Sequence, residues 1–156
     1  IHSYPTALMN ACLVGINVYN LVRLRQADRS YDLTEAAPGD RLLGYLLSHY
    51  REDILTYFPG FTGAGEGDRA YVVFCGGYPA GLLLGTEVAQ GTLSVKLDYS
   101  TPTYRDCSIG AYLYGKLPSK GVQTLIFGDE ESKAHAAYLI RMGFSRENGV
   151  FVKHLD

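Results

Sequence analysis

The 156-residue sequence predicts a single α/β domain, a mixed sheet flanked by helices, with an extra apolar helix at its N-terminal end. Three observations predict it. Residues 69–99 read as three consecutive strands joined by short glycine turns, "RAYVVFC", "AGLLLGTEV" and "GTLSVKLDY", and such a meander pairs antiparallel. Around the meander, strand and helix periods alternate, giving the order helix, β, αα, βββ, α, β, α, β. After the strand 91–99, a turn of small residues opens a helix, and such a turn leaves several backbone N–H groups pointing at one spot that attracts anions.

The elements follow in order. Residues 7–22, "ALMNACLVGINVYNLV", are apolar apart from Asn10, Asn17 and Asn20, which share one side of a helix at i, i+7 and i+10. The run is shorter than the ~20 residues that span a bilayer, which favours an amphipathic helix docked on the domain or on a second copy, as in a homodimer. Arg23 and Arg25 keep another reading open, the end of a membrane anchor. Ile1 in place of Met suggests a chain cut from something longer, and neither a basic leader nor a small-residue cleavage site marks a signal peptide. Residues 1–28 are thus set apart from a domain at 29–156.

"SYDLTEA" (30–36) reads as a short strand, and Pro38 and Asp40 open the helical stretch "DRLLGYLLSHYREDILTYF", broken near Tyr50 and stopped by Pro59. "GFTGAGEGD" (60–68) contains G-x-G-x-G but precedes a strand, whereas a phosphate cradle follows a strand and opens a helix. It reads as a mobile connection near an acceptor site. Past the meander, a helix at 107–117 ends at Pro118 and Gly121, and "VQTLIF" (122–127) is a strand. "DEESKAHAAYLIRM" (129–142) has acids at its start, Arg141 near its end and Gly143 as its stop, as a helix requires. Asn148-Gly149 marks a hairpin turn or bulge beside a closing strand.

Composition narrows the function. The 14 basic and 16 acidic residues nearly cancel, so net charge predicts neither a nucleic-acid footprint nor a polybasic membrane patch. Three cysteines without a C-x-x-C pair argue against a disulfide framework or structural zinc and fit a reducing compartment. The four scattered histidines give no metal-ligand spacing, and no metal is expected. The expected location is the cytoplasm, or the cytoplasmic face of a membrane if residues 7–22 end an anchor.

Two stretches carry a resemblance to a known superfamily. Pro102, Tyr104, Arg105, Ser108 and Gly110 stand where the GNAT acyltransferases have Pro-x-Tyr followed by Arg or Gln, two residues, Gly, one residue, and Gly or Ala. "HAAYLIRMGF" is similar to that family's late helix, which ends in a basic residue, an apolar residue and Gly-Phe. The element order over residues ~29 to 155 matches as well. The resemblance implies the GNAT fold, with a parallel strand pair beside the cofactor, and an N-acyltransferase that moves acetyl from acetyl-CoA, or another acyl-CoA, to a small amine or a protein amine.

It also implies a cofactor site. Arg105 and Asp106 lead the loop, and the backbone N–H groups of Cys107, Ser108, Ile109, Gly110 and Ala111 are the expected pyrophosphate donors, with Gly110 allowing close approach. Ser108 replaces the usual glycine, and Ser132 the family's asparagine. The end of strand 94–100 is expected to part from its neighbour and present Tyr99 and Ser100 to the pantetheine amides. Asp98 is the one acid on that strand, either a base for the amine or a plain strand end.

The family's general-acid tyrosine lies four residues before the late glycine, where this chain has Leu139. Tyr138 is one residue off, turned by about 100° toward the core, unless a π-bulge brings it round. With Asp98 it completes the candidate catalytic set. The tyrosine-rich segments 45–58 and 99–114 are candidates for an acceptor pocket. A catalytically weak CoA-binding sensor is the alternative that Leu139 favours; a purely structural domain is disfavoured by the retention of Arg105 with Gly110.

Overall fold

The computed structural model describes residues 4–26, 30–105 and 108–156, with 22–26 and 129–134 described by their backbone. The chain divides into two units, Ile1–Ser30 and Tyr31–Asp156. The first holds helix α1, Tyr4–Gln26. Leu8, Leu13, Val14, Ile16 and Val18 of α1 are all exposed, so its apolar residues run round the helix instead of forming one stripe. Among the described residues, no helix is long and apolar enough to cross a membrane.

The second unit opens with strand β1, Tyr31–Ala36. Helix α2, Arg41–His49, starts where the Asp40 carboxylate accepts from the Leu42 N–H at 2.9 Å. Tyr50 separates it from α3, Arg51–Tyr57, which is the break the sequence predicts. The meander is β2, Asp68–Cys75; β3, Tyr78–Ala89; and β4, Thr92–Ser100. Pro102–Tyr104 form a 3-10 turn, and α4 runs over Ile109–Lys116, two residues later than the sequence predicts at its start. Strand β5, Thr124–Phe127, and helix α5, Asp129–Arg141, follow. The short strand β6, Ser145–Glu147, turns into β7, Val150–His154, through Asn148 and Gly149 at φ 48° and 89°, a hairpin turn that needs positive φ at both positions.

These strands form one sheet in the order β1-β2-β3-β4-β5-β7-β6, antiparallel throughout except for the parallel pair β4–β5. Both faces are covered. On one, Ile109 and Leu113 of α4 and Leu139 of α5 pack on Val73, Leu83, Leu93, Val95 and Phe127. On the other, Leu43, Leu46 and Ile54 of α2 and α3 pack on Val72, Leu82, Leu84, Leu97 and Tyr99.

One irregularity in β4 positions the site. Leu84 faces Leu97 across the ladder but Gly85 faces Val95, so Lys96 is an extra residue, a β-bulge. The one-residue slip exchanges the faces of the strand: Leu93 and Val95 enter the core under α4 and α5, while Leu97 and Tyr99 enter the opposite core. Pairing with β5 stops at Val95↔Phe127, immediately before the bulge. Beyond it β4 runs on to Ser100 with no strand pairing on its β5 side, since β5 ends at Phe127. Gly85 sits opposite, where a Cβ would lie 2.5 Å from the Ser94 carbonyl oxygen.

The Lys96 ammonium reaches back to Asp68, 2.8 and 3.0 Å from its two carboxylate oxygens. Burial pushes the Asp68 pKa up, but hydrogen bonds from Lys96, Thr86 and the Gly65 N–H outweigh it and hold the group below its ordinary value. The Gly65 N–H donates to Asp68 at 2.7 Å, so the glycine-rich loop is tied to the start of β2. Its amides serve a carboxylate of the chain itself.

Candidate active site

Because the bulge reverses the strand, Asp98 projects toward α4 and α5. There it meets two phenols, the Tyr114 O–H donating to Asp98 Oδ2 at 2.5 Å and the Tyr138 O–H donating to the same oxygen at 3.2 Å. Burial pushes the Asp98 pKa up, and the hydrogen bonds from Tyr114 and Tyr138 and the nearby His135 oppose it only in part. Burial, followed by the charge of Asp98, raises the pKa of Tyr114 well above normal and that of Tyr138 in the same direction. The phenols therefore remain donors across the physiological range, and the carboxylate is a stronger base than one in water.

Asp98 and Tyr138 face a cleft of about 540 Å³ whose walls include Tyr57, Phe58, Arg105, His135 and Arg141. His135 stacks on Phe58 at 4.6 Å, and its Nε2 donates to the Tyr57 carbonyl at 3.0 Å. At the mouth, the Arg105 guanidinium lies 4.7 Å over the Tyr57 ring and pairs with Asp53 of α3, whose carboxylate also accepts from the Tyr99 hydroxyl. Arg105 therefore joins the loop before α4 to the helix on the other face of the sheet.

The turn of Tyr138 is the main departure from expectation. Spacing turns it to the core and Leu139 to the cleft; in the structure Tyr138 lines the cleft and Leu139 is fully buried. α5 is α-helical from Asp129 to Arg141, so no π-bulge is involved. The physical reason is the division of α5 into two stripes. His135, Tyr138 and Met142, at i, i+3 and i+7, follow the cleft, while the wholly apolar Leu139 takes the dry side and the phenol, which needs an acceptor, takes Asp98.

Of the other residues the sequence singles out, Tyr99, Ser100 and Arg105 line the same cleft, and Ser108, Ile109, Gly110 and Ala111 form the start of α4, with Ser108 as its N-cap. Ile109 is buried, so only its backbone could serve a ligand. Asp106 and Cys107 lie outside the described residues, as does the side chain of Ser132. Sequence reasoning gave Tyr114 and Asp53 no role of their own within the segments 99–114 and 45–58 that it offers for an acceptor pocket, and it missed His135 and Arg141. For Tyr114 a signal existed, since it lies one helical turn after Gly110 and so shares its face. Among the described residues, no cluster of His, Cys, Asp and Glu could hold a metal ion.

No family model and no curated protein matches the sequence. Solved structures do match the fold. A GNAT family acetyltransferase from Elizabethkingia anophelis, with acetyl-CoA bound, superposes with a TM-score of 0.54 at 13% identity, over 82% of this chain and 100% of that one. An acetyltransferase from Thermus thermophilus gives 0.52 at 21% identity, over 80% and 97%. An aminoglycoside 6'-acetyltransferase type Ii gives 0.55 at 15% identity, over 79% and 96%.

The chain has the GNAT fold. In this chain the cleft lies beside the bulged β4 and is lined by Asp98 and Tyr138, with Tyr114 of α4 bonded to Asp98.

Proposed function

We propose that this chain is an N-acyltransferase that takes its acyl group from acyl-CoA, acetyl-CoA in the first instance, and passes it to an amine by direct attack. The observation that carries the reading is the Asp98 carboxylate, raised in pKa and held by Tyr114 and Tyr138, in a cleft beside the stretch of β4 that lies past its last pairing with β5.

The chain's own groups fit the cosubstrate. Beyond Val95 the edge of β4 is open on its β5 side, so its N–H and C=O groups are available for an extended amide-bearing arm. The α4 N-cap Ser108 makes no side-chain capping bond, so first-turn N–H groups remain for an anion, and Arg141 adds positive charge to a cleft wall on which Arg105 is already paired with Asp53. Tyr99, Ser100, Arg105 and the start of α4 would hold acyl-CoA, which supplies an activated thioester.

Asp98 accepts the proton that the attacking amine loses as its nitrogen bonds the acyl carbon and the carbon–sulfur bond breaks. Tyr114 orients the carboxylate, and Tyr138, on the cleft side, can turn its one O–H from Asp98 to charge that develops on the leaving group or the acyl oxygen. The walls of Phe58, Tyr57 and Met142 limit water.

The test is calorimetric binding of acetyl-CoA followed by thiol release against a panel of amines. Binding with amine-dependent thiol release that Asp98→Asn removes is the expected result. Binding without release from any amine would replace the enzyme by a CoA-binding module, and no binding would reject both.

A further inference from the structure

Gly110 carries a role that the loop pattern does not suggest. On α4 it lies one turn before Tyr114, so an empty position and a phenol share one face. Tyr114 reaches Asp98 with its own hydroxyl. Above Gly110, a Cβ would stand 2.8 Å from the Tyr138 hydroxyl oxygen and 3.0 Å from the terminal methyl of Met142. A methionine end can swing aside. The phenol is held, since its hydroxyl donates to Asp98 at 3.2 Å and its ring packs against the core under α4 and α5. The space that a side chain at position 110 would fill is occupied by α5.

We infer that Gly110 is a positioning residue: its missing side chain admits the Tyr138 hydroxyl to Asp98. The catalytic half of this inference rests on the transferase reading above; the packing half does not. Gly110 is helical with no positive φ, so its backbone accepts alanine, and by propensity alone alanine should stabilise α4. Any loss is then steric. Gly115, on the same helix, has open space where its Cβ would be and serves as the control.

The experiment is a double-mutant cycle of Gly110→Ala and Tyr138→Phe, with Gly115→Ala alongside, read by Tm, by the Kd for CoA and by thiol release. Expected are a lower Tm for Gly110→Ala, a rise for Gly115→Ala, and loss of most of the Gly110→Ala deficit in the Tyr138→Phe background, since neighbours in contact are non-additive. Alanine keeps the N–H that position 110 offers a ligand, so CoA affinity should fall by less than about tenfold, while thiol release by Gly110→Ala falls about 10²-fold, the cost of a ~1 Å misplacement.

Equal Tm losses in both backgrounds overturn the inference. So does a CoA Kd weakened about tenfold or more by Gly110→Ala with or without the Tyr138 hydroxyl, because the glycine would then serve the cofactor directly. Should Gly110→Ala fail to fold, recovery in the double variant supports the coupling and failure of both overturns it. A wild-type protein that releases no thiol removes the transferase reading, while the Tm and CoA arms still decide the role of Gly110.

Discussion

Asp98 has one environment with two consequences. As a base it should titrate above the ordinary carboxylate value of 3.8, so kcat for amine-dependent thiol release should rise with pH along a limb displaced upward, and Asp98→Asn should lower the rate by the ~10²–10⁴ that general catalysis supplies. For stability the sign is opposite to that of a salt-bridged acid. Between 3.8 and the raised native value the folded state keeps a proton that the unfolded chain has released, so this group's contribution weakens as pH rises through that window. The Tm advantage of Asp98→Asn over wild type should therefore grow from the acid end toward neutrality in melts across pH, and a constant difference would contradict the assigned shift. At Leu139, fully buried, substitution by Tyr should overpack the core, destabilise by roughly 1–3 kcal/mol in denaturant melts and leave thiol release no faster. Asp98 was legible as the acid of its strand. The direction of Tyr138 was not, because a residue count along a helix fixes relative angles but leaves open which stripe faces the cleft.

At the scale of an element, the bulge in β4 is decisive and hidden. "TLSVKLDYS" alternates apolar and polar without a break, and both faces of the sheet are covered, so a slip that moves Leu97 and Tyr99 from one core to the other leaves no mark on the pattern. An open strand end could be expected from the resemblance of the loop after it, but not the extra residue, Lys96, nor the face to which Asp98 turns. Gly85 gives the experimental handle. Its Cβ would meet the Ser94 carbonyl oxygen at 2.5 Å, backbone that cannot swing aside, and the buried Leu93 side chain at 2.9 Å. Gly85→Ala should lower the denaturation midpoint by an amount equivalent to roughly 1–3 kcal/mol and weaken acetyl-CoA binding by disturbing the open edge. Full stability with unchanged binding would show that the ladder tolerates a side chain there. The break at Tyr50 and the Asn148-Gly149 turn were legible, since each rests on residues that act locally.

For the whole molecule, the two cores of the second unit are built from residues between Tyr31 and Leu155. A chain lacking residues 1–30 should therefore keep a cooperative thermal transition and the mixed α/β circular dichroism of the full chain, and loss of that transition would make α1 part of the fold. The exposed apolar residues of α1 should make the full chain the more self-associating of the two in light scattering. The order of the sheet also bears on how it assembles. β1 to β4 pair with sequence neighbours, β5 pairs antiparallel with β7 of the β6–β7 hairpin, and the two groups are joined along four parallel pairs of β4 and β5, Thr92↔Thr124 to Val95↔Phe127. Hairpins close early; a parallel join must wait for the crossover through α4 to be ordered. Tyr138 lies beyond that join, so it should reach Asp98 and Tyr114 late, and a chain stalled on its way to the native state should be well structured in its meander while still lacking the full constellation on which its chemistry depends.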